Sequence, residues 1–130
     1  MLLFGHRFIK SENFYHISDI DAIVHTPNRA TLYLEFSEKN LDIIEHLQNN
    51  AIAFALRVES IEELVYASAL FAKYIILTQA MAKTAQSIAE SYLFDAKILV
   101  LIDKEVEIEE VALLGIDGAI FPNAIVKINS

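Results

Sequence analysis

The sequence predicts an α/β protein: a three-layer open sheet of about five mainly parallel strands with short helices, plus an N-terminal β-hairpin or arm. Two observations lead to this fold class. Apolar runs recur along residues 31–130, and amphipathic helical segments separate them. The runs are mostly continuous rather than alternating, as in strands that are buried on both faces of a parallel sheet. A length of 130 residues fits one domain. We expect a single α/β domain over 1–130, with an arm at 1–30 and repeated βα units at 31–130.

The predicted strands begin about 20 to 24 residues apart, a spacing typical of βα units with short helices and tight loops. They lie at 32–36, 52–56, 74–77, 98–102 and 119–121. A closed eight-stranded (β/α)₈ barrel takes at least about 200 residues. The length therefore argues against a full barrel.

The segments between these strands predict helices at 41–47, 60–72, 80–94 and 107–114. Ser60 and Glu63 form a capping box, in which the hydroxyl and the carboxylate accept hydrogen bonds from amide groups at the start of the helix. The segment at 80–94 carries an apolar stripe at helical spacing. Gly115 follows the last helix and is the expected left-handed residue that stops it.

The first thirty residues differ from the rest of the chain. Residues 6–10 and 14–17 alternate between polar and apolar side chains and are separated by a short polar segment, which predicts a hairpin. Ser18 is the expected cap of a helical turn at 18–23. We expect this arm to lie at the edge of the sheet.

The composition excludes several classes of protein. Apolar residues make up 55% of the chain, which excludes a disordered tail. The absence of cysteine excludes a disulfide scaffold, a thiolate zinc site and a cysteine nucleophile. Ten basic residues against eighteen acidic ones leave a net charge of −8. Nucleic acid is not an expected partner, because affinity for phosphate backbones comes mainly from Lys and Arg.

The sequence favours a cytoplasmic protein with no membrane partner. Its first residues lack the basic region, the long apolar run and the small-residue cleavage site of a secretory signal. The most apolar window, 64–82, is about as long as a spanning helix. Lys73 lies at its centre, where a lysine costs about 2.5–3.5 kcal/mol on insertion scales.

Polar side chains follow the predicted strands at their carboxyl ends, where ligands bind in open α/β sheets. Carboxylate, guanidinium and amide groups on one rim could bind a small polar or phosphorylated ligand. The alternative interpretation is that such residues, among them Ser60, Thr78 and Asp103, only cap the helices that follow. The candidate ligand-binding residues are Glu35, Arg57, Gln79, Asp103 and Asn123.

The segment 115–127, GIDGAIFPNAIVK, resembles the last phosphate-gripping strand and loop of phosphate-binding (β/α)₈ enzymes such as the tryptophan synthase α-subunit. The pattern in that family runs Gly-x-Asp-Gly-Val-x-Val-Gly-Ser-Ala-Ile. The resemblance covers about a dozen residues and implies a phosphate site at this loop. Pro122 and Asn123 stand where the family has Gly-Ser, so the glycine amide that approaches the phosphate is missing.

A second pattern, Asp19-Ile20-Asp21 followed by Glu35-Phe36-Ser37, resembles that of the PD-(D/E)xK nucleases. In those enzymes carboxylates hold Mg²⁺ and a lysine helps to activate or position the attacking water. By position, the resemblance implies that Asp21 and Glu35 are metal ligands. Ser37 occupies the place of the lysine, and Lys39 comes two residues too late. The missing lysine and the net charge of −8 argue against DNA cleavage.

No complete catalytic constellation is recognisable, so we expect no catalytic residues, no metal site and no cofactor. The leading hypothesis is a protein that acts mainly through protein–protein contacts, beginning with self-association as a homodimer or a higher oligomer. It rests on the apolar surplus, because a domain of this size buries only about two-thirds of the surface of its unfolded chain. The alternative is a small-ligand binder or enzyme that uses the strand ends, and a degenerate PD-(D/E)xK-like nuclease is the remote alternative.

Overall fold

The computed structural model describes residues 1–128 of the chain. Within them, eight strands form one sheet in the order β1-β7-β6-β5-β4-β3-β2-β8, and all of its strand pairs are parallel. The strands are β1 (Leu2–Phe4), β2 (Phe14–His16), β3 (Thr31–Glu35), β4 (Phe54–Arg57), β5 (Tyr74–Leu77), β6 (Lys97–Leu101), β7 (Gly118–Ile120) and β8 (Ile125–Lys127). The α-helices are α1 (Leu41–Asn49), α2 (Ile61–Ala69), α3 (Gln79–Ser91) and α4 (Val106–Leu113).

The predicted α/β class with a parallel sheet and short helices is confirmed, but the sheet is a half-barrel of eight strands rather than an open sheet of about five. The curvature is visible in the aromatic contacts. Phe4 on β1 and Phe14 on β2 stand first and seventh in the sheet order, yet their ring centroids are 5.1 Å apart. Tyr74 on β5 lies within 5.5 Å of both rings. These side chains meet across the concave face.

The two faces of the sheet are buried in different ways. Successive side chains of a strand point to opposite faces. Leu32 and Leu34 of β3 belong to the core beneath the helices, whereas Tyr33 belongs to the cluster on the concave face. The buried apolar side chains of α1 to α4 all lie in the first of these cores. The expected third layer is replaced by the side chains of the rolled sheet, which explains why the strands are apolar on both faces.

The predicted N-terminal hairpin is wrong, because residues 6–10 form no strand and β2, within the predicted strand at 14–17, has parallel partners from elsewhere in the chain. β1 pairs with β7, and β2 pairs with β3 and β8. Both strands are three residues long, too short to show a pattern that distinguishes their partners. The sheet has more than the predicted five strands because β1, β2 and β8 also join it, and no α-helix leads into any of them. A loop joins β1 to β2, and 3₁₀ turns at Ile20–His25 and Pro122–Ala124 lead into β3 and β8.

The four predicted helices are confirmed, together with most of their signals. The Glu63 N–H donates to Ser60 Oγ at 3.2 Å, and Glu63 Oε1 accepts from the Glu59 N–H at 2.8 Å. Gly115 has a φ of +72° after α4, as expected of a helix stop. The Ser18 cap is wrong, because Asp19 caps the following turn.

The helices of the described chain are all too short or too polar to cross a membrane.

Candidate functional site

The concave face changes from apolar to polar toward the carboxyl ends of β2, β3, β4 and β8. Apolar side chains from these strands fill the interior. Side chains alternate between the two faces of a strand, so the residue two positions after each apolar one lies on the same concave face, and there it is ionisable. Register places His16 between Lys127 and Tyr33, and it pairs Glu35 with Arg57. We call these five residues the strand-end cluster.

Arg57 is the best-buried cation of the strand-end cluster. Its side chain is 27% exposed, and its Nε atom is buried without a hydrogen-bond partner. The same Nε lies 3.5 Å from Oε1 of Glu59, whose side chain is 71% exposed. This distance makes a loose ion pair rather than a hydrogen bond. The guanidinium therefore retains donor capacity on the concave side of the sheet.

The aromatic members of the cluster are uncharged at neutral pH. The His16 and Tyr33 rings meet edge to face, with centroids 4.9 Å apart. Burial lowers the pKa of His16; the Glu35 carboxylate acts in the opposite direction, and Lys127 adds to the lowering. Burial raises the pKa of Tyr33, while a hydrogen bond to Arg57 opposes that shift. A neutral imidazole and a phenol hydroxyl can each donate or accept a hydrogen bond.

Of the five sequence-predicted site residues, the structure makes register partners of Glu35 and Arg57 alone. Gln79 begins α3. The Asp103 N–H donates to Glu107 Oε2 at 2.9 Å, a contact that caps α4. Both residues therefore lie near helix starts, but the caps expected from Thr78 and Asp103 do not form. Thr78 makes no side-chain bond at the start of α3, and at α4 the accepting carboxylate belongs to Glu107 rather than to Asp103.

Asn123 has a connecting role at the same end of the sheet. Its Nδ2 donates to the carbonyl oxygen of Gly5 at 2.9 Å and so ties the turn before β8 to the end of β1. This turn occupies the position of the phosphate-gripping loop in the resemblance described above. Its neighbour Ala124 packs tightly on Gly5, since a Cβ added to Gly5 would lie 3.1 Å from Ala124 Cβ.

A second ionic group lies beyond the carboxyl ends of β1 and β6. Glu105 Oε1 is 3.0 Å from His6 Nε2 and 3.2 Å from Arg7 Nη2. His6 Nδ1 accepts from the Phe8 N–H at 3.1 Å, so the ring proton sits on Nε2 and is donated to Glu105. Both ring nitrogens of His6 are occupied within the chain. These bonds fix the position of the loop after β1. In the strand-end cluster, by contrast, the Nε–H of Arg57 has no hydrogen-bond acceptor among the described residues.

Three members of the strand-end cluster were not predicted: His16, Tyr33 and Lys127. His16 lies in the second strand of the predicted hairpin, at 14–17, whose partners are β3 and β8 instead, and Lys127 lies in a tail for which no strand is predicted. Tyr33 lies in a predicted strand, and its alternation with Leu32 and Leu34 was the available signal. Tyr33 and Glu35 are two residues apart on β3 and so lie on one face. Arg57 is the register partner of Glu35 on β4 and therefore lies on that face too.

Residues 1–128 contain no group of three or more His, Asp or Glu side chains arranged to hold a metal ion. The two residues of the nuclease-like pattern lie in different elements, Asp21 in the 3₁₀ turn at Ile20–His25 and Glu35 at the end of β3. No protein-family model matches the chain, and no curated protein matches it at a significant level.

Proposed function

We propose that the protein binds a small molecule through a carboxylate or phosphate group at the strand-end cluster. The observation that carries the proposal is the buried Nε of Arg57, which has no hydrogen-bond partner within the described structure. Leaving a buried donor unsatisfied costs about 1–3 kcal/mol, and more for a charged group. Because Nε is closed to solvent, an oxyanion would bind the exposed part of the Arg57 side chain, which is 27% exposed as a whole, and would offset this cost through its charge.

The chemistry of Arg57 matches this class of ligand. A guanidinium presents its donors in a planar fork that fits carboxylate and phosphate oxygens in pairs. The exposed partner Glu59 holds it only loosely, at 3.5 Å, so a ligand oxygen competes with a weak ion pair. The position also agrees with the general rule that ligands of parallel α/β sheets lie beyond the carboxyl ends of the strands.

The neighbouring side chains would shape the rest of the ligand. Lys127 supplies a second cation near His16, and the imidazole is available for a neutral hydrogen bond. Glu35, exposed on the adjacent strand, can accept from a hydroxyl or an ammonium group. The cluster is therefore suited to a small polar molecule with an anionic group beside a hydrogen-bond donor.

Calorimetric titration with inorganic phosphate and, separately, with succinate tests the proposal. We expect saturable binding of at least one probe, about tenfold weaker in Arg57→Lys, because lysine keeps the charge but loses the paired donors. Arg7→Lys is the matched control, since the Arg7 side chain is 69% exposed and pairs with Glu105. Equal binding by wild type and Arg57→Lys, or no binding of either probe, would overturn the proposal.

A further inference from the structure

The end of the sheet opposite the strand-end cluster carries large apolar side chains in solvent. Phe71 is 81% exposed, Tyr92 77% and Leu93 84%. All three line one hollow of about 460 Å³ between the carboxyl ends of α2 and α3. We call these three residues the amino-end patch. Each follows the carboxyl end of a helix, and the chain then enters the amino end of the next strand, β5 after α2 and β6 after α3.

Two of these residues also have an unfavourable backbone conformation. Phe71 has a φ of +67° and Leu93 a φ of +54°, in the left-handed region that favours glycine. Gly115 occupies the equivalent position after α4, with a φ of +72°. Bulky residues in this conformation are strained, and such strain tends to occur where it has a function.

Helix termination does not require the side chains of Phe71 and Leu93. The bonds that close each helix end come from the next residue: the Ala72 N–H donates to Ala67 O at 3.1 Å, and the Phe94 N–H donates to Ala89 O at 2.9 Å. Ala72 is buried, and Phe94 packs against the core. A glycine at position 71 or 93 would serve the same turn. The large exposed side chains therefore need another explanation.

We propose that the amino-end patch is the contact surface of a homodimer. Large side chains exposed to this degree present roughly 400–500 Å² together, at least half of the roughly 800 Å² that each partner buries in a standard interface. An isologous contact also requires a self-complementary surface. Lys73 and Asp95, which carry opposite charges, line the same hollow, so each could face the other residue on the second copy.

Sedimentation velocity or light scattering on the full chain at tens of micromolar tests this interface. We expect the wild type to be a dimer whose dissociation constant rises at least tenfold in both Phe71→Gly and Leu93→Gly. Both variants should unfold at an equal or higher denaturant concentration when compared as monomers, because glycine relieves the left-handed backbone. Loss of the dimer is then distinct from loss of the fold.

Two controls locate the contact. Ala51→Gly makes the same backbone change after α1, where φ is +54°, without removing a large side chain. Val106→Ser removes a side chain that is 73% exposed at the opposite end of the sheet. Both should leave the dimer unchanged. A monomeric wild type, or a dimer that Val106→Ser weakens while Phe71→Gly and Leu93→Gly do not, would overturn the proposal.

Discussion

Glu35 and Arg57 are register partners at the carboxyl ends of β3 and β4, and the ion pair that Arg57 forms is with Glu59 on its own chain segment. Glu35 contributes to the field at His16, where it opposes the lowering of the pKa. The two carboxylates therefore have separate roles. Glu59 loosely holds the guanidinium, and Glu35 faces the neutral imidazole on the neighbouring strand.

The lowered pKa of His16 predicts how stability depends on pH. The folded state favours the neutral imidazole, so the unfolded chain takes up the proton first as the pH falls through 6.5. We expect the free energy of unfolding to decrease from there down to the lowered pKa of the folded state. Urea titrations at several pH values above and below 6.5 measure this change in the free energy of unfolding. His16→Gln should remove this part of the slope, and an unchanged slope in that variant would contradict the assignment.

Asp117 and Gln86 should stabilise the contact between α3 and the sheet. Gln86 is buried, its Nε2 donates to Asp117 Oδ1 at 3.1 Å, and its Oε1 accepts from the Asp117 N–H at 2.9 Å. Asp117 Oδ2 also accepts from the Ile98 N–H at 2.9 Å. Asp117→Ala leaves Gln86 Nε2 and the Ile98 N–H without their acceptors. We expect the free energy of unfolding, measured with denaturant, to fall by about 1–3 kcal/mol.

Gln79→Ala is the control for that measurement. Gln79 lies on the same helix and is only half-buried, so its replacement should change stability by no more than about 0.5 kcal/mol. If the two substitutions cost the same, the hydrogen bonds of Asp117 contribute nothing specific.

Gly118 is required for the close approach of β1 to β7. A Cβ at this position would lie 2.6 Å from the Leu2 carbonyl oxygen and 2.8 Å from Leu99 Cδ2. Gly118→Ala must displace backbone, and we expect it to cost about 1–3 kcal/mol and to increase hydrogen exchange in β1. Gly115→Ala meets open space and adds only backbone strain. A larger loss in Gly115→Ala than in Gly118→Ala would refute this interpretation.

The fold class was predictable because β3 to β6 and the four helices have sequence patterns of sufficient length, and because β7, although only three residues long, follows a helix and its glycine stop. β1, β2 and β8 are as short as β7 but lack a preceding helix that marks them, and they decide whether the sheet remains open or rolls. Continuous apolar strands were correctly interpreted as buried on both faces. The sequence alone does not distinguish burial under a second helix layer from burial against the opposite side of a curved sheet.

The candidate site was predictable only in part. Glu35 and Arg57 end long strands, so their common edge followed from the parallel sheet. His16 and Lys127 come from strands that pair over large sequence separations, β2 with β8, which no local pattern encodes. Gln79 and Asp103 were selected by the same strand-end rule. Because that rule also selects capping positions, it does not separate them from ligand-binding residues.

Binding of an anionic group at Arg57 should change the NMR signal of its own Nε–H. The chain has three arginines, Arg7, Arg29 and Arg57, and Arg57→Lys assigns the signal in a ¹⁵N-edited spectrum. Titration with inorganic phosphate or succinate should shift the Arg57 Nε–H saturably and leave that of Arg29 in place. An Arg57 signal that does not move with either probe, or three signals that move alike without saturation, would show that Arg57 does not bind an anion.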